Sequence, residues 1–335
     1  MSKSLKVVFI AVGILLLIWT VLVVDMKAVG AMLAQMGFGF LAVIAIYSVV
    51  TWVDAVAWKY GFKPEEAKSF KLWELWRIRQ IGESFNTITP LGTIGGEPIK
   101  AQLLKEKHGL SFKQGLAAQV VGRTTFLMAL IFFLIPGTIL VFRSSFVSET
   151  FQLVSLAGLI IFSTMIVLFF LYQATGGLGK LTNWAARVFP RLAKKNILNQ
   201  LNTLDSLLSG YYRRHPGRFV KSVGYALIGW VVGLGELYFT LYFLGHEVSF
   251  TDLWIIEALS QLVRVGSFFI PLSIGAQEGG LALIFISMGM TGDVGLAVSF
   301  VRRIKELVWV GFGLIMGWGM AFKPAKVQLD PTNGS

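Results

Sequence analysis

Pro90-Leu91-Gly92-Thr93-Ile94-Gly95-Gly96-Glu97 and Pro271-Leu272-Ser273-Ile274-Gly275-Ala276-Gln277-Glu278 are one device written twice. Each sets a glutamate seven residues after a proline, inside a glycine-rich break between apolar segments. Each is followed by Gly-Leu-Ala, at 115–117 and 295–297, and then by Arg123 or Arg303 within a long apolar run. A duplicated, interrupted and charged element between apolar segments is the sequence mark of a binding site in a membrane transporter.

The match extends outward on both sides. Leu72-Trp73 aligns with Leu253-Trp254, and Gln80 with Gln261. After a one-residue gap, Gly109, Gly115, Val121 and Arg123 align with Gly289, Gly295, Val301 and Arg303. The register runs on through Leu127/Leu307, Phe132/Phe312 and Gly137/Gly317. Leucine and glycine matches come easily in so apolar a chain, so the Trp, Gln, Pro, Glu and Arg matches carry the alignment.

Composition sets the environment. The 335 residues are 55% hydrophobic and 14% charged, with mean hydropathy +0.69, whereas soluble domains are about 25% charged. Runs at roughly 5–24, 38–58, 115–142, 151–173, 219–244 and 294–320 are long enough to span a bilayer, which takes about 20 apolar residues. The expected fold is an all-α polytopic membrane protein. The first run exceeds the about 7–15 residues of a cleaved signal and reads as a retained helix. The chain has no cysteine, which excludes disulfides, thiolate chemistry and cysteine metal sites. Net charge is +12, but Lys and Arg flank the apolar runs and form no single patch. Membrane topology and anionic lipid explain them better than nucleic acid does. Their bias places both termini in the cytoplasm.

Each copy holds three spans and one broken segment. Three is odd, so the second copy enters the membrane from the opposite side. The expected organisation is two inverted repeats, 1–144 and 145–322, with a cytoplasmic tail at 323–335. The broken segments, about 72–110 and 252–290, read as re-entrant. Their loose backbone groups must be buried in protein or face water, which puts a cavity near the midplane. Between the fourth and fifth spans, apolar residues recur at helical spacing over 178–213, with Arg and Lys on the other faces. This reads as two amphipathic helices on the cytoplasmic interface, or as a small helical hairpin.

The candidate site comprises Pro90, Gly95, Gly96, Glu97, Arg123, Pro271, Gln277, Glu278, Arg302 and Arg303, supported by Asn86, Glu236, Lys305 and Glu306. Arginine at such depth is costly and should face the interior with a partner. Its planar fork suits phosphate or carboxylate. Two readings stay open for Arg123 and Arg303: they hold an anionic headgroup, or they pair with Glu97 and Glu278. Arg302, Arg303 and Lys305 form a cationic stripe suited to a headgroup, and Arg302 stands four residues from Glu306, in reach of a pair along the helix. Glu257 and Arg264 are expected to pair across two turns. Asp54, near Trp52, Trp58 and Lys59, reads as interfacial, whereas Glu236 is deeper. Glu83 and Asn86 precede the first break and are placed to bond its backbone. His108, His215 and His246 are scattered, so no metal site is expected. No hydrolase or phosphate-loop motif occurs, so neither an enzyme nor a cofactor is expected.

Asn86-x-x-x-Pro90 followed by Gly95-Gly96-Glu97-Pro98, with Arg123 in the next span, resembles the flippase-like proteins of the lysylphosphatidylglycerol synthase transmembrane-region family. Gln277-Glu278-Gly279-Gly280 in the second copy strengthens the likeness, which covers about 6–320. The resemblance implies a protein of the bacterial or archaeal cytoplasmic (inner) membrane that moves or handles a polar lipid between leaflets. In the family the domain is linked to aminoacylated phosphatidylglycerol, polyprenyl-phosphate sugars and hopanoid gene clusters. Only 321–335 follow the last expected span, so no soluble aminoacyl-transfer domain is expected. Three functions compete: a lipid transporter with anionic headgroups as partners, a membrane enzyme acting on a lipid-linked phosphate or sugar, and a scaffold for a lipid-biosynthesis enzyme.

Overall fold

The computed structural model describes residues 31, 34–88, 95–177, 179, 195–267 and 275–321. The expected span at 5–24, Pro90, Pro271, the first amphipathic stretch after 179 and the tail lie outside the described residues. Regular structure within them is helical: α1 Gly39–Tyr60, α2 Pro64–Lys68, α3 Leu72–Ile88, α4 Glu97–His108, α5 Phe112–Arg143, α6 Glu149–Ala174, α7 Lys195–Arg214, α8 Pro216–Phe243, α9 Phe250–Gly266, α10 Ala276–Ser287 and α11 Gly292–Ala321.

Four of these, α1, α5, α6 and α8, are long and apolar enough to cross a membrane. Even the shortest, α1 with 22 residues, reaches about 33 Å, enough for a hydrocarbon core of about 30 Å. The chain is an all-helical polytopic membrane protein. The last expected span, 294–320, is the 30-residue α11, whose charges keep it below the apolarity of the other four. Large apolar side chains of α6, such as Leu153, Ile161 and Leu168, point away from the protein. In water that would be a liability; in lipid it is the ordinary outer face of a span.

The two broken segments are helical hairpins. Helix α4 folds back on α3, where Lys100 lies against Gly82 and the carbonyl of Gly82 meets Gly96 so closely that no Cβ fits there. Helix α10 folds back on α9, with Val263 against Gly280. The second helix of each hairpin ends at a left-handed glycine, Gly109 (φ 70°) and Gly289 (φ 78°). These two glycines are aligned in the sequence, and a side chain at either would be strained.

The next matched glycines repeat the same contact. A Cβ on Gly115 would stand 2.9 Å from the Cα of Ala101, and one on Gly295 would stand 2.8 Å from the Cα of Ala282. Small residues here let backbones touch, which is how helices associate without a hydrophobic driving force. Gly115→Val and Gly295→Val should each destabilise the protein by about 1–3 kcal/mol, the usual cost of overpacking, read as a lower unfolding midpoint in detergent. Gly233→Val, where a Cβ meets nothing within 4 Å, should leave it within about 0.5 kcal/mol.

Packing between the halves runs crosswise. Gly137 of α5 lies against Ala258 and Trp254 of α9, while its counterpart Gly317 of α11 lies against Ile81 of α3. Helices α1 and α8 pair antiparallel: Gly39 meets Phe243, Ile46 meets Gly235, and Asp54 meets Gly229. The Ser222 hydroxyl donates to the carbonyl of Ala57 (2.7 Å), closing that seam.

Helix α7 packs against the spans along its apolar face and does not lie free on the interface. Leu208, Tyr211 and Tyr212 are buried with Val121 of α5. The Tyr211 hydroxyl donates to the carbonyl of Tyr60 (2.7 Å), and that of Tyr212 to Gln173 Oε1 (2.9 Å). Burial pushes the Tyr212 hydroxyl up to about 12, so it stays a proton donor in this contact.

Candidate functional site

Helix α4 begins at Glu97, where a carboxylate is favoured by the helix dipole. Its Oε1 accepts from Asn86 Nδ2 (3.1 Å) and Arg123 (3.3 Å), with Lys100 Nζ at 3.6 Å. Its Oε2 is buried with no hydrogen-bond partner among the described residues. Asn86 knits the break: its Oδ1 accepts from the Gly96 N–H (2.6 Å) and its amide also donates to Glu83 (3.2 Å). Glu83 pairs with Lys100 (2.6 Å). Of the two residues expected to bond the loose backbone, then, Asn86 does so. Glu83 is instead drawn to a lysine brought over it by the hairpin.

The second hairpin repeats the centre of this arrangement. Glu278, near the start of α10, accepts the Gly275 N–H on Oε2 (2.7 Å) and Arg303 on Oε1 (2.9 Å). Gln277 is buried beside it. In each half, therefore, the glutamate of the break meets the arginine of the following long helix.

The structure departs from four sequence expectations. Arg302 pairs with Glu257 of α9 and not with Glu306, because a partner on a packed neighbour competes with one along its own helix. Glu257 also accepts from Gln261 (2.6 Å). Arg264 therefore does not pair with Glu257; it reaches across to Glu306 (2.9 Å), which also meets Arg303 (3.3 Å). The cationic stripe on α11 is neutralised residue by residue, since Lys305 pairs with Glu236 of α8 and lies 4.2 Å from the centre of the Tyr47 ring. Asp54, expected as an interfacial residue beside Trp52, Trp58 and Lys59, is instead enclosed by the protein and bound to Arg79 of α3 at 2.6 Å. Arg79, Lys100 and Tyr47 join these pairs without having stood out in the sequence. Lys100 was legible, because a hairpin centred on the break brings it over Glu83.

These pairs join seven carboxylates (Asp54, Glu83, Glu97, Glu236, Glu257, Glu278, Glu306) to seven cations (Arg79, Lys100, Arg123, Arg264, Arg302, Arg303, Lys305). These pairs fall into five clusters, each holding as many carboxylates as cations. Their members differ in access: the Arg303 and Lys100 side chains are 6% and 4% exposed, while Arg123 and Glu83 are 33% and 32% exposed. Ions that open at membrane depth face water or a polar ligand, since hydrocarbon would not bear them.

The model of the lysylphosphatidylglycerol synthase transmembrane region matches residues 5–314. The chain belongs to this family. Three curated relatives come from Methanothermobacter thermautotrophicus (strain Delta H), each described as a UPF0104 membrane protein. One is 23% identical over 279 residues, covering 76% of each chain. A second is 26% identical over 249 residues, covering 67% of this chain and 66% of the relative. A third is 20% identical over 251 residues, covering 73% and 72%. No solved structure matches significantly. This family member is a multi-pass membrane protein.

Proposed function

We propose that this family member moves the polar headgroup of an anionic or phosphate-linked lipid across the bilayer, by alternating access to a cavity between two inverted halves, 1–144 and 145–322. One observation carries it: the Glu97–Arg123 pair at one hairpin break recurs as Glu278–Arg303 at the other. The antiparallel α1 and α8, which occupy corresponding places in the two halves, support inversion. So does the crosswise packing of each long helix on the other half's hairpin. The hairpins then enter from opposite sides and return, each carrying a glutamate toward the middle. The setting is the cytoplasmic membrane, with both termini inside.

The charge balance suggests how such a site works. An arginine held by a glutamate is released only when another anion replaces the carboxylate. A lipid phosphate can do so at Arg123, whose guanidinium is partly open, by displacing Glu97. The neutral cluster of Glu83, Lys100, Glu97 and Arg123 would then carry an extra negative charge, which is expensive away from water. Protonation of the displaced glutamate, or a cation moving with the lipid, removes that cost and would couple the two movements.

A scaffold role gains little from α7, whose apolar face is already covered by α5 and α6. Proteoliposomes with a headgroup-accessible reporter lipid test the proposal. Translocation should be lost in Glu278→Gln and Arg123→Gln, and unchanged rates in both would remove the site. Covalently altered lipid in the same vesicles would replace transport with catalysis.

A further inference from the structure

The outer surface of the α5–α6 pair carries an open groove of about 310 Å³, walled by Ile135, Ile139, Leu156 and Leu159, with Thr138 within it and Arg143 at one end. That volume enters the range of ligand clefts, about 300–1,000 Å³. Two polar groups in it lack the partners such groups usually find. Thr138 is 5% exposed, and its hydroxyl is buried without a hydrogen-bond partner among the described residues. Elsewhere on α5, Thr124 turns its hydroxyl to a carbonyl one turn back at 2.9 Å, as helical threonines commonly do. Arg143, the last residue of α5, is exposed and forms no ion pair among the described residues. It is also the sole base in 143–150.

We propose that this groove binds one anionic phospholipid. Its phosphate sits on Arg143, where the helix C-terminus already favours positive charge but supplies no anion. Five residues deeper, about 7–8 Å along the helix, the Thr138 side chain turns its hydroxyl, buried and unpartnered among the described residues, to an oxygen of the glycerol backbone. One acyl chain then lies along Ile135, Ile139, Leu156 and Leu159. From Arg143 to Ile135 is about 12 Å along the helix, the upper part of such a chain. The charge at one end and the hydroxyl inside favour an anionic glycerophospholipid over a bare acyl chain or a second copy of the protein. The site is separate from the central pairs: Arg123 stands twenty residues earlier on the same helix, about 30 Å away.

Native mass spectrometry of the full chain, after exchange from micelles holding equal phosphatidylglycerol and phosphatidylcholine, decides the matter. The wild type should retain one phosphatidylglycerol in clear excess over phosphatidylcholine. Arg143→Gln and the groove-filling Ile139→Trp should each cut retention about tenfold, a loss of affinity well within what one charged contact supplies. Thr138→Val keeps the shape of the groove and should lower retention less. The proposal falls if Arg143→Gln and Thr138→Val both hold lipid as the wild type does. It also falls if phosphatidylcholine is held equally, which would make Arg143 an interfacial anchor only. Loss of the lipid in Glu97→Gln instead would assign it to the central cavity.

Discussion

Arg303→Met should cost the fold about 3–5 kcal/mol, the typical penalty for removing one partner of a buried ion pair. Arg303 is 6% exposed and holds both Glu278 (2.9 Å) and Glu306 (3.3 Å). Methionine replaces the apolar stem but strands Glu278 and leaves Glu306 with Arg264 alone. Arg264→Met removes the other partner of Glu306, yet the Arg264 side chain is 47% exposed, and its loss should cost only about 0–1 kcal/mol. Unfolding midpoints in detergent compare the two directly. Adding Glu278→Gln to Arg303→Met should recover part of the loss, because one stranded charge is gone. Equal shifts for Arg303→Met and Arg264→Met would show that burial does not set the energetics of this network.

Glu97→Gln should lower lipid translocation about 10- to 100-fold, matching the loss of a charge-assisted hydrogen bond worth about 1.5–3 kcal/mol. The amide oxygen of glutamine still accepts from Asn86, and Lys100 keeps Glu83, so the hairpin stays closed. In the proposed mechanism, what disappears is the carboxylate that competes with an incoming phosphate for Arg123. Since Arg123 is one-third exposed, the stability change should stay within about 1 kcal/mol. Translocation in proteoliposomes and the unfolding midpoint in detergent separate the two effects. A rate loss matched by an equally large fall in midpoint would make Glu97 a structural residue.

Much of this was legible in the sequence. Gly109 aligns with Gly289 and Gly115 with Gly295, and the structure gives each pair the same turn or the same close approach. Glu97 and Glu278 stood out because charge is conspicuous among apolar residues. For their arginines, the sequence left two readings open, and geometry shows the intraprotein pairs. The partner choices of Arg302, Arg264 and Asp54 were not legible. On one helix, spacing of four residues proposes a pair, but an enclosed charge takes the partner with the better geometry and burial, and that partner lies on another helix.

The sequence by itself determined the membrane environment, the helical class and the matched glycines, because apolar runs and glycine act locally and repeat in register. The tertiary structure alone decided that the cationic stripe of α11 is neutral, that Asp54 is enclosed, and that Thr138 and Arg143 share one groove. Those outcomes depend on which helices become neighbours, and pairing across helices follows from packing distances that no spacing along the chain encodes.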